Sequence, residues 1–258
     1  MNIYGLTDRG LLREANEDCI GITCLKNGIS IAVVCDGMGG VAGGKIASAL
    51  AEEAFMSSMV EFAEGLDRAK IDSRKLKNAI RISIEKANAA IIENARENLS
   101  LFGMGTTLNA VVYCESKSRA YCTNVGDSRL YMIANGKIKQ LSKDHSYVQM
   151  LVDNKEITKE EAAHHPKKNL ITKALGIKDE IEPDIFDVKA SQKKDCYFLL
   201  CSDGLHGLVS EDKLMSVAIS KTSIEEKVFT YIKLANEAGG NDNISVILLN
   251  TKETEVDG

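Results

Sequence analysis

Four acidic positions stand where apolar, strand-like runs begin or end, and carboxylates at such points are suited to binding metal ions. Two runs end in an Asp-Gly pair, at Asp36 and Asp203, and two others begin just after an acid, at Asp18 and Asp242. In an antiparallel sheet the end of one strand lies beside the start of its neighbour, so the four positions can share one edge. Carboxylates gathered there would repel each other unless cations hold them. The pattern therefore predicts a site with oxygen ligands for hard divalent ions.

The two acids in Asp-Gly pairs, and a further acid, Asp127, have simpler interpretations when each is taken alone. An Asp-Gly pair is a common β-hairpin turn, and Asp36 and Asp203 each stand in such a pair. A tight hairpin would lead directly into another strand, whereas both pairs here lead into glycine-rich or helical patterns. Asp127 lies between two strand patterns, where a plain turn explains it equally well. The joint pattern carries the prediction of a metal site.

The glycine-rich stretch at residues 37–45, Gly-Met-Gly-Gly-Val-Ala-Gly-Gly-Lys, fits parts of two nucleotide-binding motifs. The dinucleotide fingerprint requires a strand after the first helix, but here one long helical pattern is followed by another. A phosphate-binding P-loop would carry Ser or Thr after Lys45, where this chain has Ile46. A nucleotide-binding enzyme is therefore an alternative that the context disfavours. The glycines more simply allow the backbone to turn tightly and to pass close to an ion.

Arg13 lies four residues before Glu17 and is the candidate for binding a phosphate group. A guanidinium can hold phosphate oxygens through two parallel hydrogen bonds. The simpler interpretation is a solvated surface arginine, which is the usual case for a lone Arg. Arg9 is a competing and weaker candidate.

The elements that must position these residues follow an α+β pattern. Short β-rich runs lie at about 3–7, 18–25, 30–36, 106–114, 120–125, 129–134, 137–141, 183–189, 197–201 and 244–251. Helical patterns cover about 44–64, 73–98, 210–220 and 223–238. Because the strands come in runs and the helices in consecutive pairs, the order does not fit alternating βαβ units. We predict a central antiparallel β-sandwich with helix pairs on its outer faces, in α-β-β-α layers.

Residues 1–258 are predicted to form a single domain, because no linker or break in composition interrupts them. The polar stretch at about 147–169 breaks the strand rhythm, and Thr158-Lys-Glu-Glu161 could cap a short helix inside it. This stretch is either a surface insertion or a flap beside the site, and its composition favours neither.

Composition and charge argue against several classes of protein. The formal net charge of −5 disfavours a nucleic-acid-binding surface. No apolar run approaches the length of about 20 residues that spans a membrane, and the N-terminus lacks the features of a signal peptide, so we expect no membrane association and a cytoplasmic location. The seven Cys include no C-x-x-C pair, and none has an Arg six positions later, as the thiol phosphatases require.

Seven segments follow one another in an order that is typical of one family. They are Thr7-Asp-Arg-Gly10 with Arg13-Glu-Ala-Asn-Glu-Asp18, Val34-Cys-Asp-Gly-Met-Gly-Gly40, Gly105-Thr-Thr-Leu108, Val125-Gly-Asp-Ser-Arg129, Asp144-His-Ser146, Cys201-Ser-Asp-Gly-Leu205 and Asn241-Asp-Asn-Ile-Ser245. The chain thereby resembles the metal-dependent protein phosphatases, the type 2C Ser/Thr phosphatases, over nearly its whole length. The Asp-Gly-Met-Gly-Gly form is similar to the bacterial branch. The family's fold, a β-sandwich flanked by helices, agrees with the predicted layers.

The resemblance implies a centre of two metal ions, Mn²⁺ or Mg²⁺. Asp36 would bridge the two ions, and the carbonyl of Gly37 would be a further ligand. Asp203 and Asp242 would complete the site of one ion, and Glu17 would bind the other. Ligands that are all oxygens favour magnesium or manganese over zinc.

The resemblance also implies roles for residues around these ions. Asp18 would hold water bound to an ion, and Asp127 with Asp203 would hold a third, weaker ion. Arg13 would bind the substrate phosphate, so that Arg13, Asp36 and Asp203 are the implied catalytic residues. Met38 stands where many eukaryotic members have a His that is proposed as the general acid. Because Met cannot donate a proton, a metal-bound water is left as the proton source.

The implied reaction is the hydrolysis of phosphoserine and phosphothreonine in proteins by a metal-activated water. The implied partners are phosphorylated proteins and a Ser/Thr protein kinase, which the enzyme would oppose, and we expect a monomer. A non-catalytic module that binds phosphoproteins is the alternative. It would require a broken site, and the intact set of acids argues against it.

Overall fold

The computed structural model describes residues 2–67, 71–192 and 194–252. Eleven β-strands run through these residues. They are β1 (Asn2–Asp8), β2 (Asp18–Cys24), β3 (Ile29–Met38), β4 (Gly105–Thr106), β5 (Leu108–Cys114), β6 (Arg119–Val125), β7 (Arg129–Ala134), β8 (Lys137–Gln140), β9 (Asp184–Lys189), β10 (Cys196–Cys201) and β11 (Ile244–Asn250).

The strands form two antiparallel sheets that pack face to face. One sheet has the order β1-β11-β10-β7-β8, and the other has the order β2-β3-β5-β6-β9, with β4 paired to the end of β3. Apolar side chains from both sheets fill the space between them, among them Val34, Phe198 and Leu249. The strands β5, β10 and most of β11 are buried throughout, because both faces of these strands are covered.

The described part of the chain contains seven α-helices, most of which cover the outer faces of the sandwich. They are α1 (Gly40–Glu64), α2 (Ser73–Glu97), α3 (Tyr147–Asp153), α4 (Lys159–Ala163), α5 (Asp203–His206), α6 (Glu211–Ala218) and α7 (Ile224–Glu237). The pair α1 and α2 buries its apolar faces on the sheet that contains β3 and β5. The helices α5, α6 and α7 pack on the sheet that contains β10 and β11. The predicted α+β sandwich with helix pairs on its outer faces is confirmed.

The helices α2 and α7 begin at capping residues that the sequence supplies. The carboxylate of Asp72 accepts hydrogen bonds from the backbone N–H groups of the first turn of α2. At the start of α7, Ser223 and Glu226 form the predicted capping box, in which each side chain accepts from the other's backbone N–H. These caps fix where each helix starts, and the buried stripe of each helix then lies on its sheet.

The context that dinucleotide binding requires does not form around the glycine-rich stretch. After β3, α1 leads into α2 and then into β4, which runs antiparallel to β3. A βαβ unit would need a single crossover helix and a parallel second strand. The nucleotide-binding alternative therefore loses its structural basis.

The structure differs from the predicted elements in several places, four of which concern strands and α-helices. The predicted strand at 106–114 is two strands, because Thr107 leaves the ladder and bonds to Asp36 through both its backbone and its side chain. The helix α1 begins at Gly40, four residues before the predicted start. The short helices α3 and α5 were not predicted, since four to seven residues are too few to show helical periodicity.

The polar stretch at residues 147–169, which we call the flap, contains α3 and α4. Helix α4 starts at the predicted capping box of Thr158 and Glu161. An isolated β-bridge between Ser146 and Ile171 closes the base of the flap. No helix of the described residues has the length and apolar character needed to cross a membrane.

Candidate metal and phosphate site

The acids of β2 and β3 meet because of the strand register. Asp18 is the direct partner of Asp36 across the antiparallel pair, so the two side chains lie on the same face of the sheet. The strand β3 continues past Asp36 to Met38, where it pairs with β4, so this Asp-Gly pair is not a hairpin turn. Glu17 directly precedes β2.

The other two acids come from the second sheet. Asp203 opens α5 just after β10, and Asp242 lies two residues before β11. Ser202 connects these strand ends, because its backbone N–H donates to the carbonyl of Ser245 at 3.1 Å. The hydroxyl of Ser202 donates to a carboxylate oxygen of Asp18 at 2.8 Å. This last hydrogen bond crosses from one sheet to the other and fixes the sheets' edges together at the site.

Asn243 fastens the loop before β2 to the start of β11. Its side-chain Nδ2 donates to the carbonyls of Arg9 and Ala15, both at 2.9 Å. Its Oδ1 accepts from the backbone N–H of Glu17 at 2.8 Å. Because this loop carries both Arg13 and Glu17, the single side chain of Asn243 places both of them beside the second sheet.

At Gly37 the backbone packs directly against the backbone of Gly44 and Glu17. A Cβ atom at this position would collide with the carbonyl oxygens of Gly44 and Glu17. Gly39 follows with φ 126°, a conformation that other residues rarely adopt, and the chain then turns into α1. The glycines serve the tight turn that the sequence predicts, and Gly37 lies at the wall of a cavity.

Acidic side chains from both sheets line one cavity of about 430 Å³. The predicted site residues in its lining are Arg13, Glu17, Asp36, Gly37, Asp127, Asp203 and Asp242. Asp18 is not part of this lining and is buried beside its strand partner. Within the described residues no histidine lines the cavity.

Burial and mutual repulsion oppose the simultaneous ionisation of these acids. Loss of hydration, followed by the charge of neighbouring carboxylates, raises the pKa of Asp18 and that of Asp127 to about 7. The same two causes raise the pKa of Asp203 to about 6 and place the pKa of Asp36 well above its ordinary value. A bound divalent cation would favour the charged forms and remove the repulsion.

Two carboxylate oxygens of the cluster have no hydrogen-bond partner among the described residues. They are Oδ1 of Asp18 and Oδ1 of Asp127, and both are buried. A buried polar oxygen without a partner is costly unless a cation or a water supplies one. Together with the carbonyl of Gly37, the donor atoms are oxygens, which suit Mg²⁺ or Mn²⁺. The residues present therefore fit a divalent metal centre.

Arg13 occupies one rim of the cavity and pairs with Asp242. Its Nη2 atom donates to Oδ2 of Asp242 at 2.8 Å. In the part of the chain that the structure describes, no three acid, His or Cys side chains are arranged to coordinate a single ion. Two carboxylates of the cluster are engaged elsewhere, that of Asp242 with Arg13 and that of Asp18 with Ser202. Coordination would require Asp242 to exchange the guanidinium for an ion.

Asp127 lies in the turn between β6 and β7, and both of its neighbours are anchored. The N–H of Gly126 donates to Nδ1 of His145 at 3.1 Å. The hydroxyl oxygens of Ser128 and Thr107 are hydrogen-bonded at 2.8 Å, and Thr107 also bonds to the backbone of β3. The turn is thereby held to the sheet that carries the first pair of acids.

A second cavity, of about 500 Å³, lies between the flap and the sandwich. It shares Asp127, Asp203 and Asp242 with the first cavity. The flap contributes two cationic residues to its lining, Lys159 and Lys168. The flap thus lies beside the acids, in line with one of the two interpretations that the sequence left open.

Comparison with known proteins identifies the family of this chain. A family model described as "Protein phosphatase 2C" matches residues 13–245. The chain belongs to this family. The serine/threonine phosphatase stp of Listeria welshimeri serovar 6b is 39% identical over 243 residues, which cover 94% of this chain and 93% of that protein.

Solved structures of similar proteins support the assignment of this chain to the family. The serine/threonine phosphatase PstP/Ppp of Mycobacterium tuberculosis has a TM-score of 0.85 and 32% identity, and the match covers 98% of this chain and 99% of that one. The catalytic domain of PstP in complex with two manganese ions has a TM-score of 0.82 and 31% identity, with 98% of each chain covered. This phosphatase therefore acts on phosphorylated serine and threonine in proteins, and its dependence on metal ions follows from the family.

Several residues that build the site of this phosphatase were not predicted from the sequence. Ser202, Thr107 and Asn243 bond directly to the backbone or side chains of the candidate residues. The adjacency of Ser202 and Asn243 to an acid was the available signal, whereas Thr107 appeared to start an ordinary strand. His206, whose Nε2 lies 3.0 Å from the carbonyl oxygen of Asp127, gave no signal in the sequence.

Proposed function

We propose that the acidic cavity is a divalent metal centre at which phosphoserine and phosphothreonine in proteins are hydrolysed. The observation that carries this proposal is the cluster of buried carboxylates with raised pKa values, with the guanidinium of Arg13 at its rim. Such a cluster is unfavourable alone and becomes favourable when cations bind. A phosphate dianion adds further negative charge, so its approach also depends on cations.

In this centre Asp36 and the carbonyl of Gly37 would be ligands of the ions, Mn²⁺ or Mg²⁺. Asp203 and Asp242 would hold one of the two ions, and Glu17 would hold the other. When bound, the ions would supply positive charge for the phosphate oxygens and would lower the pKa of a water molecule.

Arg13 and Asp18 act beside the ions. Arg13 is 51% exposed, so its guanidinium can turn from Asp242 to the phosphate and hold it through two N–H groups. The bond from Ser202 fixes one oxygen of Asp18 and leaves the unpaired Oδ1 to accept from a water molecule. These two side chains orient the phosphate and the water for attack.

Asp127, together with Asp203, would hold a third and weaker ion. Met38 lines the cavity at the position of the family's histidine and has no proton to donate. Since no histidine of the described residues lines the cavity, the leaving alkoxide takes its proton from water in the site.

We further propose that the enzyme is a cytoplasmic monomer with a single domain over residues 1–258, which carries the flap as an insertion at about 147–169. The seven cysteines are free, as expected in a reducing compartment. The partners are phosphorylated proteins and the Ser/Thr protein kinase that the enzyme opposes, and the net charge of −5 disfavours nucleic acid.

The test is phosphate release from a phosphothreonine peptide, measured with Mn²⁺ and with EDTA. We expect turnover by the wild type with Mn²⁺ alone, and a loss of about 100-fold or more in Asp36→Asn and Asp203→Asn, as for other groups that stabilise transition-state charge. Glu85→Gln, which changes an exposed acid on α2, is the matched control and should retain full turnover. Wild-type turnover in either site variant would contradict the proposal.

A further inference from the structure

His206 connects the two acids that are proposed to share the third ion. It lies three residues after Asp203, at the other end of the short helix α5. Its Nε2 atom is 3.0 Å from the backbone carbonyl oxygen of Asp127. The hydrogen bond therefore joins the segment that carries Asp203 to the turn that carries Asp127.

The chemistry of this contact fixes the state of the imidazole. A carbonyl oxygen can only accept, so Nε2 must carry the proton. Burial, followed by the nearby guanidinium of Arg129, lowers the pKa of His206 to about 3. Arg129 is itself held in place by Asp144, whose carboxylate accepts from its Nε at 3.0 Å and its Nη2 at 2.7 Å. His206 is thus a neutral donor with a fixed tautomer.

The other hydrogen bonds that hold the turn lead to parts of the fold other than α5. Gly126 is bonded to His145, near the base of the flap, and Ser128 is bonded to Thr107, next to β3. These contacts hold the turn against the sheet of β3 and β5. On the other side of the turn, β7 pairs with β10 up to Arg129 and Cys201, each two residues from one of the acids. The hydrogen bond from His206 adds a link between the turn and α5 beyond the end of this strand pair.

That separation determines whether one cation can bind both carboxylates. The two carboxylates line the same cavities, and their like charges repel each other. Oδ1 of Asp127 is also without a partner among the described residues. Without the bond from His206, the turn and α5 could relax apart beyond the end of the β7–β10 pair, and the cation would have to draw the carboxylates together at a cost in affinity.

We propose that His206 is a positioning residue that sets the distance between the carboxylates of Asp127 and Asp203, and thereby the affinity of the weaker third ion. The inference rests on the proposed function, because that function assigns this ion to the two acids. His206 lines the second cavity and not the first, so it acts through Asp127 and does not touch the reacting phosphate.

Two variants of the full chain separate the hydrogen bond from the size of the side chain. His206→Gln retains an N–H donor at a position equivalent to Nε2, and His206→Leu has similar bulk without a donor. The measurement is calorimetric titration with Mn²⁺ alone. We expect the weakest Mn²⁺ site to lose about five- to tenfold in affinity in His206→Leu, the effect of one hydrogen bond, with the tighter sites unchanged. His206→Gln should stay within about twofold of the wild type.

A double-mutant cycle with Asp127→Asn tests whether His206 acts through Asp127. We expect His206→Leu to cause no further loss in the Asp127→Asn background. An equal loss of Mn²⁺ affinity in both backgrounds would overturn the inference, as would a wild-type isotherm for His206→Leu. In either case, binding of the tighter ions would still support the proposed function. A wild type that binds no Mn²⁺ would overturn the proposed function itself. If the leucine variant does not fold, His206→Asn, whose donor is misplaced, replaces it in the cycle.

Discussion

Arg13 and Asp242 form an ion pair at the rim of the cavity, and each is assigned a second partner during catalysis. The pair is 2.8 Å apart, with the guanidinium half exposed. An ion that binds Asp242 competes with Arg13, and the released guanidinium becomes available to phosphate. One contact therefore links metal binding to substrate binding.

Removal of the Arg13 guanidinium should affect these two events in opposite directions. In Arg13→Ala we expect the affinity for Mn²⁺ to rise severalfold, because a competing cation is lost. We expect KM for a phosphothreonine peptide to rise about tenfold, since a charge-assisted hydrogen bond to phosphate is worth roughly 1.5–3 kcal/mol. Calorimetry and steady-state kinetics give the two values.

Arg9→Ala is the control for this prediction, because Arg9 belongs to the same loop and was the competing candidate in the sequence. It should leave both values unchanged. Arg13→Lys should keep the positive charge but lose the two parallel N–H donors of the guanidinium, so we expect an intermediate KM. An Arg13→Ala enzyme with unchanged KM would contradict the assigned role.

At the scale of single residues, the sequence indicated the acids because each lies next to a recognisable apolar run. Asp36 and Asp203 follow such runs directly, and that adjacency survives folding. The residues that hold the site in place have no comparable pattern beside them in the sequence. Ser202 and His206 make their contacts with residues far away along the chain, so only the packed structure shows what they bind.

Among the secondary-structure elements, the break between β4 and β5 bears most directly on the site. Thr107 leaves the ladder there, and its Oγ1 accepts from the N–H of Asp36 at 2.9 Å. The carbonyl of Asp36 in turn accepts from the N–H of Thr107. This pair of contacts fixes the backbone from which the central carboxylate projects.

Loss of the Thr107 hydroxyl should destabilise the fold and reduce catalysis. Thr107→Val keeps the shape but leaves the buried N–H of Asp36 and the hydroxyl of Ser128 without a partner, a cost of about 1–3 kcal/mol. Chemical denaturation and turnover with Mn²⁺ measure the two effects. Thr107→Ser retains the hydroxyl and should remain close to the wild type. Equal behaviour of the two variants would show that the hydroxyl has no such role.

The elements that the sequence predicted are those with a long periodic signal. Helices α1 and α2 and the buried strands were predicted with boundaries close to those observed, apart from the early start of α1 at Gly40. Helix α5 has four residues, and its start coincides with an Asp-Gly pair that also favours a turn. The strand break at Thr107 comes from a tertiary contact inside a continuous apolar run, so local pattern alone could not show it.

At the scale of the whole molecule, the raised carboxylate pKa values link stability to pH and to metal ions. Asp18 has a folded-state pKa of about 7, above its ordinary value. Between pH 4 and 7, the unfolded chain has lost this proton while the folded chain keeps it. Stability from this group is therefore full at low pH and is lost as the pH rises to about 7.

Asp18→Asn isolates this contribution from that of His206, whose lowered pKa acts with the opposite sign. In EDTA, we expect the unfolding free energy of the variant to rise relative to the wild type between pH 5 and 7.5, by on the order of 1–4 kcal/mol. Denaturant unfolding at the two pH values measures the difference. Added Mn²⁺ should stabilise the wild type more at pH 7.5 than at pH 5, because protons compete with ions for the acids. A relative stability that does not change with pH would contradict the assignment.

The central position of β11, between β1 and β10, has a consequence for how the molecule is made on the ribosome. The sheet that contains β1 cannot close until residues 244–250 have emerged, and Asp242 and Asn243 leave the ribosome immediately before them. Until then the loop that carries Arg13 and Glu17 lacks its hydrogen bonds to Asn243. Phosphatase activity is therefore expected only after β11 has docked between β1 and β10.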